Sequence, residues 1–245
     1  MEGVLNAGMR VARFNFSHGT AEEHQIRLRI LRETADKLLI NVATMLDTKG
    51  PEIRVGKMSN PDGITVEAGS TVEISCLKQL PGNSRNFSVL DSTGTYNMAK
   101  DVKPGHLILV DDGKLMLEAK TISTSTGVIK ALAMNTHLLK SNKRINLPNS
   151  TYTMPFFSAK DKADIELAVT EKIDFVALSF VNSAKDVKTV RDHLDKLKNK
   201  SVRLISKIET GQAISNLPAI IAASDAIMVA RGDLGIEIPF EQVPY

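Results

Sequence analysis

The chain has 245 residues, 42% of them hydrophobic and 24% charged, with 31 basic against 28 acidic side chains and a net charge of +3. That is ordinary globular composition, long enough for a sizeable core in one or two domains. So close a charge balance argues against general binding to nucleic acid or to a membrane surface. Cys76 is the only cysteine, which excludes an intrachain disulfide and reads as a small apolar filler on a strand in a reducing compartment. No run approaches the roughly 18 apolar residues of a membrane span. Met1-Glu2-Gly3-Val4 has neither a basic leader nor an apolar stretch, so a cytoplasmic location is expected.

In chain order, a short helical tail ends at Gly8, and Met9 to Phe16 reads as a strand. Thr20-Ala21-Glu22-Glu23 is a capping-box pattern that opens a helix toward Leu39, and Val42 to Asp47 is the next apolar run. From Pro51 to Pro148 the texture is all-β. Ile64 to Val66 and Thr71 to Ser75 flank a Gly-containing turn. His106 to Val110 and Lys114 to Ala119 flank Asp112-Gly113, a hairpin signal, and Gly127 precedes a strand from Val128 to Ala133. Lys78 to Asn86 and Thr121 to Gly127 read as loops. Alternation then returns. Ser158 to Asp161 and Ser183 to Asp186 cap helices, and the second helix ends in the solvated stretch Lys196 to Lys200. Strands are expected over Asp174 to Phe180, Val202 to Glu209 and Ala226 to Ala230, with a helix broken near Pro218.

Alternating strand and helix implies parallel β with crossover helices. About five such units are present, short of the eight that close a (β/α)8 barrel. The expected architecture is therefore α/β: an incomplete TIM (β/α)8 barrel with an inserted all-β barrel. Residues 1–50 and 149–245 form the two parts of the first and residues 51–148 form the second. Both ends read as cut.

Candidate chemistry follows from strand alternation. Arg13, Asn15 and Ser17 share one face of the first strand, opposite Ala12, Phe14 and Phe16, and so point toward the mouth where barrel enzymes keep their sites. The alternative is an internal salt bridge of a buried arginine. Lys207 and Glu209, two apart at a strand end, face the same way. A buried Lys and Glu need compensation that a divalent ion and an anionic substrate would supply, or they form a structural ion pair. Arg231-Gly232-Asp233-Leu234-Gly235 adds a carboxylate past the next strand end, with glycines that let backbone approach a ligand. Asp47-Thr48-Lys49-Gly50-Pro51-Glu52-Ile53-Arg54 packs acids and bases around a rigid Gly-Pro at the junction with the β insertion.

Four segments together, 11–19, 46–54, 205–209 and 228–235, with Val110 to Gly113 in the insertion, resemble the motifs of the pyruvate kinase family in that family's order. The resemblance covers essentially the whole chain. It implies phosphoryl transfer from phosphoenolpyruvate to ADP, giving pyruvate and ATP. By position it implies that Lys207 stabilises the moving group and that Arg13 binds its phosphate, with Lys207, the Gly232 backbone and Asp233 beside the substrate. Glu209 and Asp233 would hold Mg²⁺ (or Mn²⁺). Asn15, Ser17, Asp47 and Thr48 would hold K⁺, and Glu52 resembles the K⁺-dependent members. Asn15, Phe16, Ser17, His18, Arg54 and Lys143 would lie along the nucleotide. Lys207, Glu209 and Asp233 would converge on one pocket, and the β insertion would act as a lid. The full-length family is expected to form a homo-oligomer, a tetramer.

The sequence departs from the family where Lys-Gly-Val-Asn-Leu-Pro-Gly is usual. Here Lys143-Arg144-Ile145-Asn146-Leu147-Pro148-Asn149 stands, with both glycines replaced. Two other readings compete. One is a remnant that binds ligands or another chain without turnover. The other is a metal-dependent lyase of the same barrel type, disfavoured because a lyase needs no nucleotide lid. With exposed strand edges, the isolated chain is expected to be poorly stable and weakly active or inactive.

Overall fold

In the computed structural model, which describes residues 1–244, the alternating stretches form one parallel sheet and the middle closes into a β barrel. Contacts divide the chain into two units. The first contains Met1–Gly50, Phe156–Ile208 and Ala213–Val229. The second contains Pro51–Pro155, Glu209–Gln212 and the residues from Ala230 on.

The chain begins with α1 (Glu2–Asn6), β1 (Val11–Asn15), α2 (Ala21–Lys37) and β2 (Ala43–Asp47). The expected capping box forms: the Thr20 hydroxyl accepts from the Glu23 N–H at 3.3 Å, and the Glu23 carboxylate accepts from the Thr20 N–H at 3.3 Å. His24, Leu28, Leu31 and Ala35 form the buried stripe of α2, at the spacing of one helical face.

Nine strands follow: β3 (Ile53–Val55), β4 (Ile64–Val66), β5 (Thr71–Ser75), β6 (Asn86–Asp91), β7 (Leu107–Val110), β8 (Leu115–Ser123), β9 (Val128–Ala133), β10 (His137–Leu139) and β11 (Arg144–Asn146). Seven of them close in the order β11-β3-β6-β5-β9-β8-β7, with β11 pairing back onto β7. All these pairs are antiparallel except β5 with β6. The barrel is filled by Ile74, Phe87, Ile108, Leu115, Leu117 and Ile129, all buried. Cys76 lies in the same core, one residue past β5.

Two features lie outside the sequence reading and one loop expectation changes. β4 does not pair with β5 across the Gly-containing turn but with β10, in a separate two-stranded sheet. The stretch 86–91, beyond a loop without sequence signal, is a barrel strand. β8 runs on to Ser123, past an irregularity between Ala119 and Thr121 that lets it keep pairing with β9. The hairpin at Asp112-Gly113 forms as expected. Asp111, Asp112 and Gly113 all take positive φ between Val110 and Leu115, which pair directly.

The chain continues with α3 (Ala159–Thr170), β12 (Phe175–Leu178), α4 (Ala184–Lys196), β13 (Arg203–Ile208), α5 (Gly211–Ser215), α6 (Leu217–Ala223), β14 (Ala226–Val229) and α7 (Arg231–Glu237). Pro218 sits in the first turn of α6, where its missing N–H costs nothing. The five parallel strands lie in the order β1-β2-β12-β13-β14, an open, incomplete TIM-type arrangement with helical crossovers. Central strands β2 and β12 are mostly buried, as parallel strands covered on both faces should be. The two edge strands expose Val11, Ile227 and Val229. Among the described residues, no helix is long and apolar enough to cross a membrane.

Candidate active site

In the first unit the polar residues gather at the C-terminal ends of the parallel strands. Register pairs Asn15 of β1 with Asp47 of β2, and Asp47 with Ala177 of β12. Asp47 is almost fully buried, and each of its oxygens takes a cation. Oδ1 accepts from the Lys207 ammonium at 3.1 Å. Oδ2 accepts from Arg13 Nε at 2.6 Å and also pairs with the Arg13 Nη2. The Ser179 hydroxyl, just past β12, lies 2.9 Å from Lys207 Nζ and 3.2 Å from Asp47 Oδ1, and donates to the Thr48 carbonyl at 2.7 Å.

Lys207 is buried, with 9% of its side chain exposed, whereas the Arg13 side chain is 50% exposed. The expected internal arginine is therefore half open, because β1 is an edge strand. Ser17 lies beyond the end of β1. Its N–H donates to Asn15 Oδ1 at 3.0 Å, so a local turn, not strand alternation, brings Asn15 and Ser17 together. Phe16 turns into the core and stacks on His24 at 4.0 Å between ring centroids. The His18 carbonyl bonds the His24 ring at 2.8 Å. Gly50 is fixed by geometry: its φ is +68°, and an added Cβ would lie 2.8 Å from the Ser179 carbonyl oxygen. Its N–H donates to Asp161 at 3.1 Å.

The second unit holds a complementary cluster. Glu52, almost fully buried, takes Arg54 through two bonds at 2.9 and 3.0 Å and takes Arg144 Nη2 at 3.0 Å. The other end of the Arg144 fork, Nη1, pairs with Asp233 Oδ1. Glu209, 1% exposed, acts on the same guanidinium electrostatically. Burial pulls the Arg144 pKa down, but Asp233, Glu52 and Glu209 outweigh it and the net shift is upward. Lys143 Nζ sits 2.8 Å from Asp111. Burial works to raise the Asp111 pKa, yet hydrogen bonds from Lys143 and His137 bring it below the ordinary value.

The Arg231 to Gly235 segment, past the end of β14 as expected, lies in the helix α7, with Asp233 in its first turn. Among the described residues, an added Cβ on Gly232 would meet nothing within 4 Å beyond its own helix. Further along α7, the Glu237 carboxylate accepts from Asn146 at 2.7 Å and from the Tyr152 hydroxyl at 3.3 Å. Burial raises its pKa despite these donors.

Thus Arg13, Asn15, Ser17, Asp47, Thr48 and Lys207 belong to the first unit, and Arg54, Lys143, Glu209, Gly232 and Asp233 belong to the second. Sequence reading missed Ser179, whose place beside Asp47 comes from the pairing of β12 with β2 and leaves no signal in its own segment. It also missed that Arg144 would pair with carboxylates.

The description "Pyruvate kinase, barrel domain" belongs to a family model that matches residues 1–245. A pyruvate kinase of Mycoplasma pneumoniae is 48% identical over 245 residues, covering 100% of this chain and 48% of that protein. One from Staphylococcus saprophyticus is 42% identical over 246 residues, covering 100% of this chain and 41% of that protein. The crystal structure of a pyruvate kinase from Cryptosporidium parvum superposes with a TM-score of 0.91 at 37% identity, over 99% of this chain and 49% of that one. The chain spans about half the length of the curated relatives it matches. The family model and the curated relatives cover the whole length of this chain, and the chain belongs to the pyruvate kinase family.

Proposed function

We propose that this chain carries the phosphoryl-transfer residues of a pyruvate kinase, which moves a phosphoryl group from phosphoenolpyruvate to ADP to give pyruvate and ATP. The observation that carries this reading is the Asp47 carboxylate, one oxygen on Lys207 and the other on Arg13. Two cations gathered on one carboxylate at the strand ends suit the binding of a phosphate. In this reading Arg13, half open to solvent, binds the substrate phosphate. Lys207, held out of water, stabilises charge on the moving group, where a desolvated cation acts strongly. Asp47 and Ser179 hold both in position. Catalysis by positioning and charge suits a loose phosphoryl transition state.

Glu209 and Asp233 would hold Mg²⁺ (or Mn²⁺). They offer the hard oxygens such an ion prefers. Glu52, Glu209 and Asp233 gather around Arg144, with Arg54 also on Glu52. When bound, the ion would neutralise charge on the transferred group. Asn15, Ser17, Asp47 and Thr48 offer oxygens for K⁺. Gly232 would receive the substrate. Asn15, Phe16, Ser17, His18, Arg54 and Lys143 would line the nucleotide, Phe16 through its backbone because its ring is in the core. Residues 51–148 would act as the lid, and the full-length protein would be a cytoplasmic tetramer.

The test is ADP-dependent pyruvate formation by this chain with Mg²⁺ and K⁺, beside Lys207→Met. Loss of one charge-stabilising group predicts a fall in kcat of about 10²–10³. A Lys207→Met chain as active as the parent would end the proposal.

A further inference from the structure

Arg144 stands where the family pattern has glycine, and no role in the reaction described above calls for it. Yet its guanidinium sits on Asp233, one of the two carboxylates assigned to the divalent ion. We propose that Arg144 is a tethered cation that occupies the Asp233 carboxylate until a divalent ion displaces it, so that it sets the divalent-ion affinity of this chain. The inference rests on the assignment of Asp233 as an ion ligand.

Three features support displacement over a permanent structural pair. First, the guanidinium divides its two ends, with Nη2 on Glu52 at 3.0 Å and Nη1 on Asp233. It can release Asp233 while keeping Glu52. Second, release does not strand Glu52, because Arg54 holds that carboxylate through two bonds of its own. Breaking a buried pair is costly when it leaves a charge uncompensated, and here the deeply buried carboxylate stays compensated. Third, Asp233 is the open member of the cluster: its side chain is 32% exposed against 1% for Glu52, so an ion has access from solvent. Both a guanidinium and a divalent ion seek the same carboxylate oxygen, and the first must leave for the second to bind.

The experiment uses Mn²⁺ alone, without substrate or nucleotide, and reads free Mn²⁺ by electron paramagnetic resonance during titration of the whole chain. Removing a charge-assisted competitor predicts that Arg144→Gln binds Mn²⁺ about tenfold tighter or more. A folded Arg144→Gln chain with Mn²⁺ affinity equal to or weaker than the parent overturns the proposal. A double variant, Arg144→Gln with Asp233→Asn, separates the two claims. Loss of the gained affinity supports both, whereas retained tight binding overturns the Asp233 assignment and the competition with it. The unmodified chain gives a second readout independent of the glutamine variant's folding. The Arg144 guanidinium ¹⁵N signals, assigned with Arg144→Lys, should show hindered rotation without Mg²⁺ and free rotation of the Nη1 end at saturation. Signals unchanged by saturating Mg²⁺ overturn the proposal.

Discussion

Asp47 carries more than its own charge, because one buried carboxylate holds the Lys207 ammonium on one oxygen and Arg13 on the other. Asp47→Asn keeps the shape and removes the charge that faces the buried Lys207 ammonium and Arg13. Breaking a buried pair from one side costs about 3–5 kcal/mol. Urea unfolding of the variant should lose that much, and a loss under about 1 kcal/mol would show that the carboxylate is not the counter-charge. At this scale the sequence was informative where alternation applies: Lys207 sits at a strand end because polar residues alternate with apolar ones there. Ser179 and the Arg144 pairs stayed hidden because they depend on which strands become neighbours and on how far long side chains reach. Neither is encoded within one segment.

Among elements, the helices announce themselves through their first turns. Thr20 with Glu23 and Ser158 with Asp161 satisfy N–H groups at helix starts, and both boxes were readable from four residues. Thr20→Ala should cost about 1 kcal/mol by chemical denaturation, since the Glu23 N–H loses its side-chain acceptor. An unchanged midpoint would mean that water replaces the cap without penalty. Parallel strands β2, β12 and β13 were equally readable as apolar runs between helices. The shortest strands and the strand partners were not. β3 and β11 are three residues each, too short to display a period of two, and their pairing is set by closure of the barrel. Outside the barrel β4 also has a hidden partner: a Gly-containing turn joins it to β5 in sequence, yet its hydrogen-bonding partner is β10, about seventy residues away.

At the scale of the whole molecule, the lone thiol is a reporter. Burial in the barrel core pushes the Cys76 pKa up to about 12, the backbone bond from Ala99 opposing only in part. The thiolate is the reactive form, so a thiol reagent at neutral pH should label Cys76 only through opening of the barrel. Labelling should be slower than that of the unfolded chain by about 10³-fold or more and should accelerate with urea in step with loss of the barrel's circular-dichroism signal. Rapid modification under native conditions would mean that the core around Phe87 and Ile74 is not closed.

The reach of the Arg144–Asp233 pair across 89 residues has a consequence for synthesis. All strands of the barrel, together with Glu52, which precedes β3, and Arg144, which opens β11, leave the ribosome before Glu209 and Asp233 exist. At about 5–20 residues per second the delay before Asp233 emerges is about 4–18 s, ample time for a small barrel to form around Glu52 with Arg54 and Arg144 beside it. The nascent barrel would therefore present a cationic landing point, and the arrival of α7 would cancel it.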